Sequence, residues 1–182
     1  MFLFLVRHAH AVTEEEDSTR PLSSRGISTT HQLADFFRQN GAFIPVQVWH
    51  SPLRRSRETA EILARALHRD AVLVETPGLL PEDDVGEIAE HLASFTSTQP
   101  LAIVGHEPHL SALATLLVRG KPHPAAFTLK KAAVLALERT HEVHKKSGEP
   151  RWIVNWQIAP SLLPPRDPQP IIPAIPGNLP IS

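Results

Sequence analysis

Phe2-Leu3-Phe4-Leu5-Val6 runs directly into Arg7-His8-Ala9-His10, and later Leu101-Ala102-Ile103-Val104 runs into Gly105-His106-Glu107-Pro108-His109. Each apolar run is short and shows no polar alternation, which is the pattern of a strand covered on both faces in a parallel or mixed sheet. Each also ends on histidine. Working outward, Leu33, Phe36 and Phe37 share one helical face within Ser28 to Asn40, and Gly41 follows as a natural stop. A short strand over Val46 to Trp49 comes next. Ala60, Leu63, Ala64 and Leu67 then repeat at helical spacing between Arg54 and His68. Ala71 to Val74 reads as a strand, Val85, Ile88, Ala89 and Leu92 as a helix, and Leu110, Leu113, Ala114 and Leu117 as a helix ending at Gly120. Ala133 to Leu137 and Trp152 to Ile158 flank a polar loop and suit a closing antiparallel hairpin. Strand and helix alternate, so the expected fold is α/β: a three-layer α/β/α sandwich around a central, mostly parallel sheet with an antiparallel edge.

Composition narrows the function. The chain has 182 residues with 42% apolar content, enough for one self-sufficient core over residues 1–160. Eighteen Lys and Arg against nineteen Asp and Glu leave no cationic excess for phosphate backbones or anionic lipid, so neither nucleic acid nor a membrane is an expected partner. With no cysteine there are no disulfides, thiolate metal sites or Cys nucleophiles. The opening apolar run is stopped by Arg7 and is too short for a signal-peptide core, and no run approaches the ~20 residues of a membrane span, so a cytoplasmic location is expected. Eight of the eighteen prolines lie between Pro160 and Pro180, which sets residues 161–182 apart as an extended, polyproline-like tail. Its Ile171, Ile172, Ile175 and Leu179 would suit an apolar groove; a mobile terminus is the equal alternative.

In open α/β sheets ligands bind beyond the carboxyl ends of the strands. Two adjacent parallel strands would bring His8 and His106 to one rim, and a third strand ending at Trp49-His50-Ser51-Pro52 leads into Arg54 and Arg55 at a helix start, where free N–H groups favour an anion. Arginine binds two phosphoryl oxygens at once and stays charged at any working pH. Neutral imidazole is a competent nucleophile toward phosphorus. A histidine pair held by arginines therefore implies phosphoryl transfer through a covalent phosphohistidine, with no metal or cofactor in the scheme.

Arg7-His8 after an N-terminal strand resembles the Arg-His-Gly signature of the histidine phosphatase superfamily, the phosphoglycerate-mutase-like fold. Ser51-Pro52-Leu53-Arg54-Arg55-Ser56-Arg57-Glu58-Thr59-Ala60 is similar to its second motif and Gly105-His106-Glu107-Pro108 to its third. The small size, the segment Arg20-Pro21-Leu22-Ser23-Ser24-Arg25-Gly26, and Asn155-Trp156-Gln157 resemble the SixA-type phosphohistidine phosphatases. The resemblance spans about residues 1–160. It implies His8 as nucleophile, His106 as donor to the phosphoryl oxygens, Arg7 and Arg55 as their clamps, and Arg20 as a contact to the phosphoprotein substrate. The second-motif arginine lies four before the threonine, which selects Arg55 over Arg54 or Arg57.

Two departures stand out. Ala9 replaces the motif glycine, which matters only if that position needs positive φ. The wider family protonates its leaving alkoxide from an acid after the third strand; Glu82, Asp83 and Asp84 are available, but none matches clearly. An imidazole leaving group tolerates that loss, which favours a phosphohistidine-bearing protein over a small phosphorylated substrate. A binding module without turnover and a small-molecule phosphatase remain the competing readings.

A lone histidine at a strand end is ordinarily structural or solvated. His8-Ala9-His10 and His106 to His109 invite a metal reading, but Pro108 interrupts the second and it lacks the i, i+4 pair of a zinc-protease helix. His31, His68 and His91 fall on predicted helices, and His123, His141 and His144 in or near loops, and they need no role. Arg54 and Arg57 suit helical pairs with Glu58 and Glu61, and Glu14 to Asp17 a solvated acidic loop.

Overall fold

Among the described residues, four strand–helix pairs alternate as the apolar spacing predicts, and two strands follow them. The elements are β1 Phe2–Arg7, α1 Ser24–Asn40, β2 Gln47–His50, α2 Arg54–Leu67, β3 Val72–Glu75, α3 Val85–Ser94, β4 Leu101–Gly105, α4 His109–Arg119, β5 Val134–Val143 and β6 Pro150–Ile158. This computed structural model describes residues 1–68, 70–145, 148 and 150–163. One sheet runs in the order β3-β2-β4-β1-β5-β6. The first four strands are mutually parallel, and β5 and β6 add the antiparallel edge.

The apolar runs at 2–6 and 101–104 are central because both their faces are covered. Leu3 and Leu5 of β1, with Leu101 and Ile103 of β4, pack beneath α3 and α4 against Ile88, Leu92, Leu110 and Leu113. Their alternate neighbours Phe4, Val6, Ala102 and Val104 pack on the other face against Leu33 and Phe37 of α1 and Ala60 and Leu63 of α2. The period-two alternation is therefore between two apolar layers rather than between core and water.

Helix α1 begins at Ser24, upstream of the Ser28 that apolar spacing marks. Ser23 caps it, its side chain accepting the Gly26 N–H, and Gly41 closes it in the left-handed conformation at φ 66. Gly26 depresses helix propensity, yet a Cβ there would sit 2.0 Å from the His10 carbonyl oxygen, so the close approach of α1 to the chain beyond β1 requires it. Strand β5 runs on to Val143, which places His141 in an exposed strand end rather than a loop, while His68 is the residue capping α2. After a short 3-10 turn at Pro160–Leu162, Leu163 is buried in the α1/α2 layer. The remainder of the proline-rich tail lies outside the described residues. No helix among the described residues is long and apolar enough to cross a membrane.

Candidate active site

Three neighbouring strands end together and each hands one side chain to the rim. In the β1–β4 register Arg7 lies opposite Gly105, and the His8 N–H donates to the Gly105 carbonyl at 3.0 Å. In the β2–β4 register His50 lies opposite Val104, and the Ser51 N–H donates to the Val104 carbonyl at 3.1 Å. His8, Ser51 and His106 are thus the first residues past three adjacent strands. The rings of His8 and His106 stand 4.9 Å apart between centroids, tilted by 54°.

Both histidines are buried, with relative exposures of 7% and 2%. Burial draws the pKa of His8 down to about 4; the bond to the Ala9 carbonyl opposes this, and the fields of Arg55, Arg7 and Lys131 reinforce it. Burial likewise draws His106 down to about 3, helped by His8, Arg55, His109 and Arg7. Both rings are neutral at physiological pH. The Ala9 carbonyl lies 2.7 Å from Nδ1 of His8 and can only accept, so Nδ1 carries the proton and Nε2 keeps its lone pair. His106 Nε2 lies 2.9 Å from the Ser51 hydroxyl oxygen, which itself accepts the Leu53 N–H at 3.3 Å. The hydroxyl can donate to Nε2 or accept from it, so this bond admits either tautomer of His106, whose Nδ1 is buried with no partner among the described residues.

The arginines enter from two elements. Arg7, the last residue of β1, is anchored by NH1 to the Leu129 carbonyl at 2.8 Å, while its buried Nε has no partner. Arg55 sits in the first turn of α2, whose N-cap Leu53 offers no side-chain bond to the leading N–H groups. Burial and the Arg20 charge lower its pKa. Arg54 turns away, pairing with Glu58 at 2.7 Å, and Arg57 faces Glu61 at 3.9 Å. Of the three second-motif arginines, Arg55 alone is left without a carboxylate partner among the described residues.

The remaining expectations resolve unevenly. Ala9 is fully buried and its N–H donates to Thr59 Oγ1 at 3.1 Å. Its φ is not in the left-handed region, where only Arg20 (φ 48) and Ala132 (φ 59) stand among the described non-glycine residues. Alanine therefore meets no backbone penalty there. Asp84 caps α3 through the Gly86 N–H and Asp83 accepts the Leu80 N–H at 2.7 Å, so both carboxylates are engaged by backbone, while Glu82 is exposed. His10 is bound through Nδ1 to Ser23 Oγ at 2.8 Å. Sequence reasoning missed Ser51 as the partner of His106. It also missed Lys131, which precedes Ala132; the Ala132 N–H reaches the carbonyls of Arg7 and His8 at 3.1 and 3.2 Å. The antiparallel β1–β5 pairing was the available signal, since it forces the start of β5 to the end of β1.

Residues 3–90 match the family described as the histidine phosphatase superfamily (branch 1). An uncharacterized protein of Picosynechococcus sp. is 32% identical over 142 residues, covering 75% of this chain and 84% of that protein. The chain belongs to the histidine phosphatase superfamily. It is accordingly a phosphohydrolase. In fold, this histidine phosphatase is similar to the protein histidine phosphatase SixA complexed with tungstate, at TM-score 0.73 and 24% identity, over 88% of this chain and 98% of that one. It is also similar to the alpha-ribazole phosphatase from Shigella flexneri, at TM-score 0.63 and 18% identity, over 86% and 96% of the two chains.

Proposed function

We propose that this phosphatase removes the phosphoryl group from phosphohistidine on a signalling or phosphotransfer protein, through a phosphoenzyme on His8 and without a metal. The observation that carries the reading is the hydrogen bond from His8 Nδ1 to a backbone carbonyl. It presents an unprotonated Nε2 beside the second imidazole. In the first step Nε2 forms a bond to phosphorus as the bond to the substrate imidazole breaks, and the leaving ring takes a proton from solvent. In the second, water adds to phosphorus, the His8–phosphorus bond breaks, and inorganic phosphate leaves. Arg7 and Arg55 would offset charge on the equatorial oxygens. With its proton on Nδ1, the buried nitrogen that has no partner among the described residues, His106 would donate to one of them.

The choice of an N–P substrate rests on the acids. Asp83 and Asp84 each already accept a backbone N–H, from Leu80 and Gly86, so their carboxylates serve the backbone at the start of α3. Arg20, which takes a left-handed backbone conformation and whose charge is felt by Arg55, would contact the substrate protein. Residues 1–160 would form the catalytic domain and 161–182 an appended tail. The likeness to an alpha-ribazole phosphatase keeps a small phosphomonoester as the second reading.

The test is turnover in EDTA of a phosphohistidine protein against a phosphate monoester, with trapping of the labelled enzyme. Faster turnover of the phosphohistidine protein, with a phosphoenzyme stable in base, labile in acid and absent from His8→Ala, is expected. Metal-dependent turnover, or equal rates for wild type and His8→Ala, would overturn the proposal. Unchanged phosphopeptide affinity with no turnover in either protein would identify a binding module instead.

A further inference from the structure

Two cations suffice to balance a phosphoryl dianion, but the rim carries five. Beside Arg7 and Arg55 stand Arg20, Arg25 and Lys131, and none of the five forms an ion pair with a carboxylate among the described residues. The arginines on the outer face of α2, Arg54, Arg57 and Arg65, are all paired. Hydrogen bonds place the three segments that carry the extra cations. Lys131 immediately precedes Ala132, whose N–H bonds to the carbonyls of Arg7 and His8. Arg25 rides on the first turn of α1, tied to the chain beyond His8 by Ser23 N–H to the His10 carbonyl at 3.0 Å and by the His10–Ser23 side-chain bond. The Arg20 N–H donates to the Asp17 carbonyl at 2.8 Å, and its Nε reaches the Val12 carbonyl at 3.4 Å.

We infer that Lys131, Arg25 and Arg20 form a second anion subsite beside the phosphoryl cradle, which takes a carboxylate or a second phosphate carried by the same substrate. Its location rests on the proposed His8 centre; its existence does not depend on phosphohistidine being the substrate. The charges are mutually felt: burial and then Arg7, Arg20, Arg25 and Arg55 hold the Lys131 ammonium below its usual range, and Lys131 and Arg25 lower His10. Glu16 is the one carboxylate opposing this at His10, and its side chain is engaged by the Thr13 N–H at 2.8 Å. Glu15 beside Arg20 and Glu107 beside Arg7 offset only part of this repulsion, and the remainder is what an incoming anion would relieve. Lys131 and Arg25 are exposed, so a ligand reaches them and substitution does not disturb the core.

Calorimetric titration with orthophosphate and with pyrophosphate tests the subsite without reference to turnover. Wild type should bind pyrophosphate about tenfold more tightly than orthophosphate, as one additional charge-assisted contact provides. Lys131→Met with Arg25→Gln should erase that advantage. Equal affinities in wild type, or a loss of the same factor for both anions in the double variant, would overturn the subsite. A second arm uses two N-phosphohistidine peptides differing only in Asp or Asn beside the phosphohistidine. A preference for Asp that the double variant loses identifies a carboxylate as the second anion; equal rates alongside tighter pyrophosphate binding identify a phosphate. Failure to turn over either peptide would reject the phosphohistidine reading, and the titration would still decide the subsite.

Discussion

The ends of β1 and β4 place chemically identical rings in one pocket and hold them by different kinds of partner. His8 is held by a backbone carbonyl, which only accepts; His106 is held by a serine hydroxyl, which both gives and takes. A carbonyl fixes one tautomer, and burial with the neighbouring cations, not the carbonyl, keeps that ring neutral, while a hydroxyl accepts either tautomer of its partner. The pairing therefore separates a permanent lone pair from an adaptable donor.

The strongest way to break that asymmetry is His8→Ala. We expect turnover to fall by at least roughly 10³-fold with no trappable phosphoenzyme, as loss of a nucleophile does. Arg55→Lys keeps charge but loses the planar fork shared by both ring environments. Its kcat should fall by about 10²-fold, measured in steady state.

Acid titration sharpens the comparison next. Because the folded pKa values of about 4 and about 3 lie below the unfolded value of 6.5, the unfolded chain binds more protons between them. Stability should be full above pH 6.5 and fall as pH drops toward 4, by roughly 3 kcal/mol for His8 alone, as read by denaturant titration across that window. The acid limb of kcat/KM should likewise lie near pH 4 rather than near 6.5.

Ser51→Ala removes the hydroxyl from the β4 side alone. It should lower kcat about tenfold through an unpaired imidazole nitrogen, while phosphoenzyme still forms on His8. Ala9→Gly should change kcat/KM by less than about twofold, since the position has no positive φ for glycine to relieve. Rapid-quench and steady-state assays on the two variants distinguish them.

Much of this was legible before any coordinates. The double-faced apolar runs at 2–6 and 101–104 determine which strands are central, and the residues after them must then share a rim. The start of α1 was not legible, because Gly26 argues against a helix until the His10 carbonyl is seen pressing on it. Ser51 was visible as part of a motif, but its service to His106 depends on β2 lying beside β4. Lys131 and Arg25 carry no local pattern at all. Their position follows from strand pairing and from the cap of α1, which are long-range facts that a lysine or arginine in a loop does not advertise.

Glu58 gives one carboxylate oxygen to Arg54 and the other to the Leu22 N–H, while Ala11 bridges Leu22 and the Val12 N–H meets the Pro21 carbonyl. The intervening residues 13–19 are therefore clamped at both feet and free of the core between them. None of these residues bears on His8 or His106, but Asp17 holds Arg20 and Glu16 acts on His10, so rewriting this one surface loop would leave the reacting rings as they are and change which clientele the rim admits.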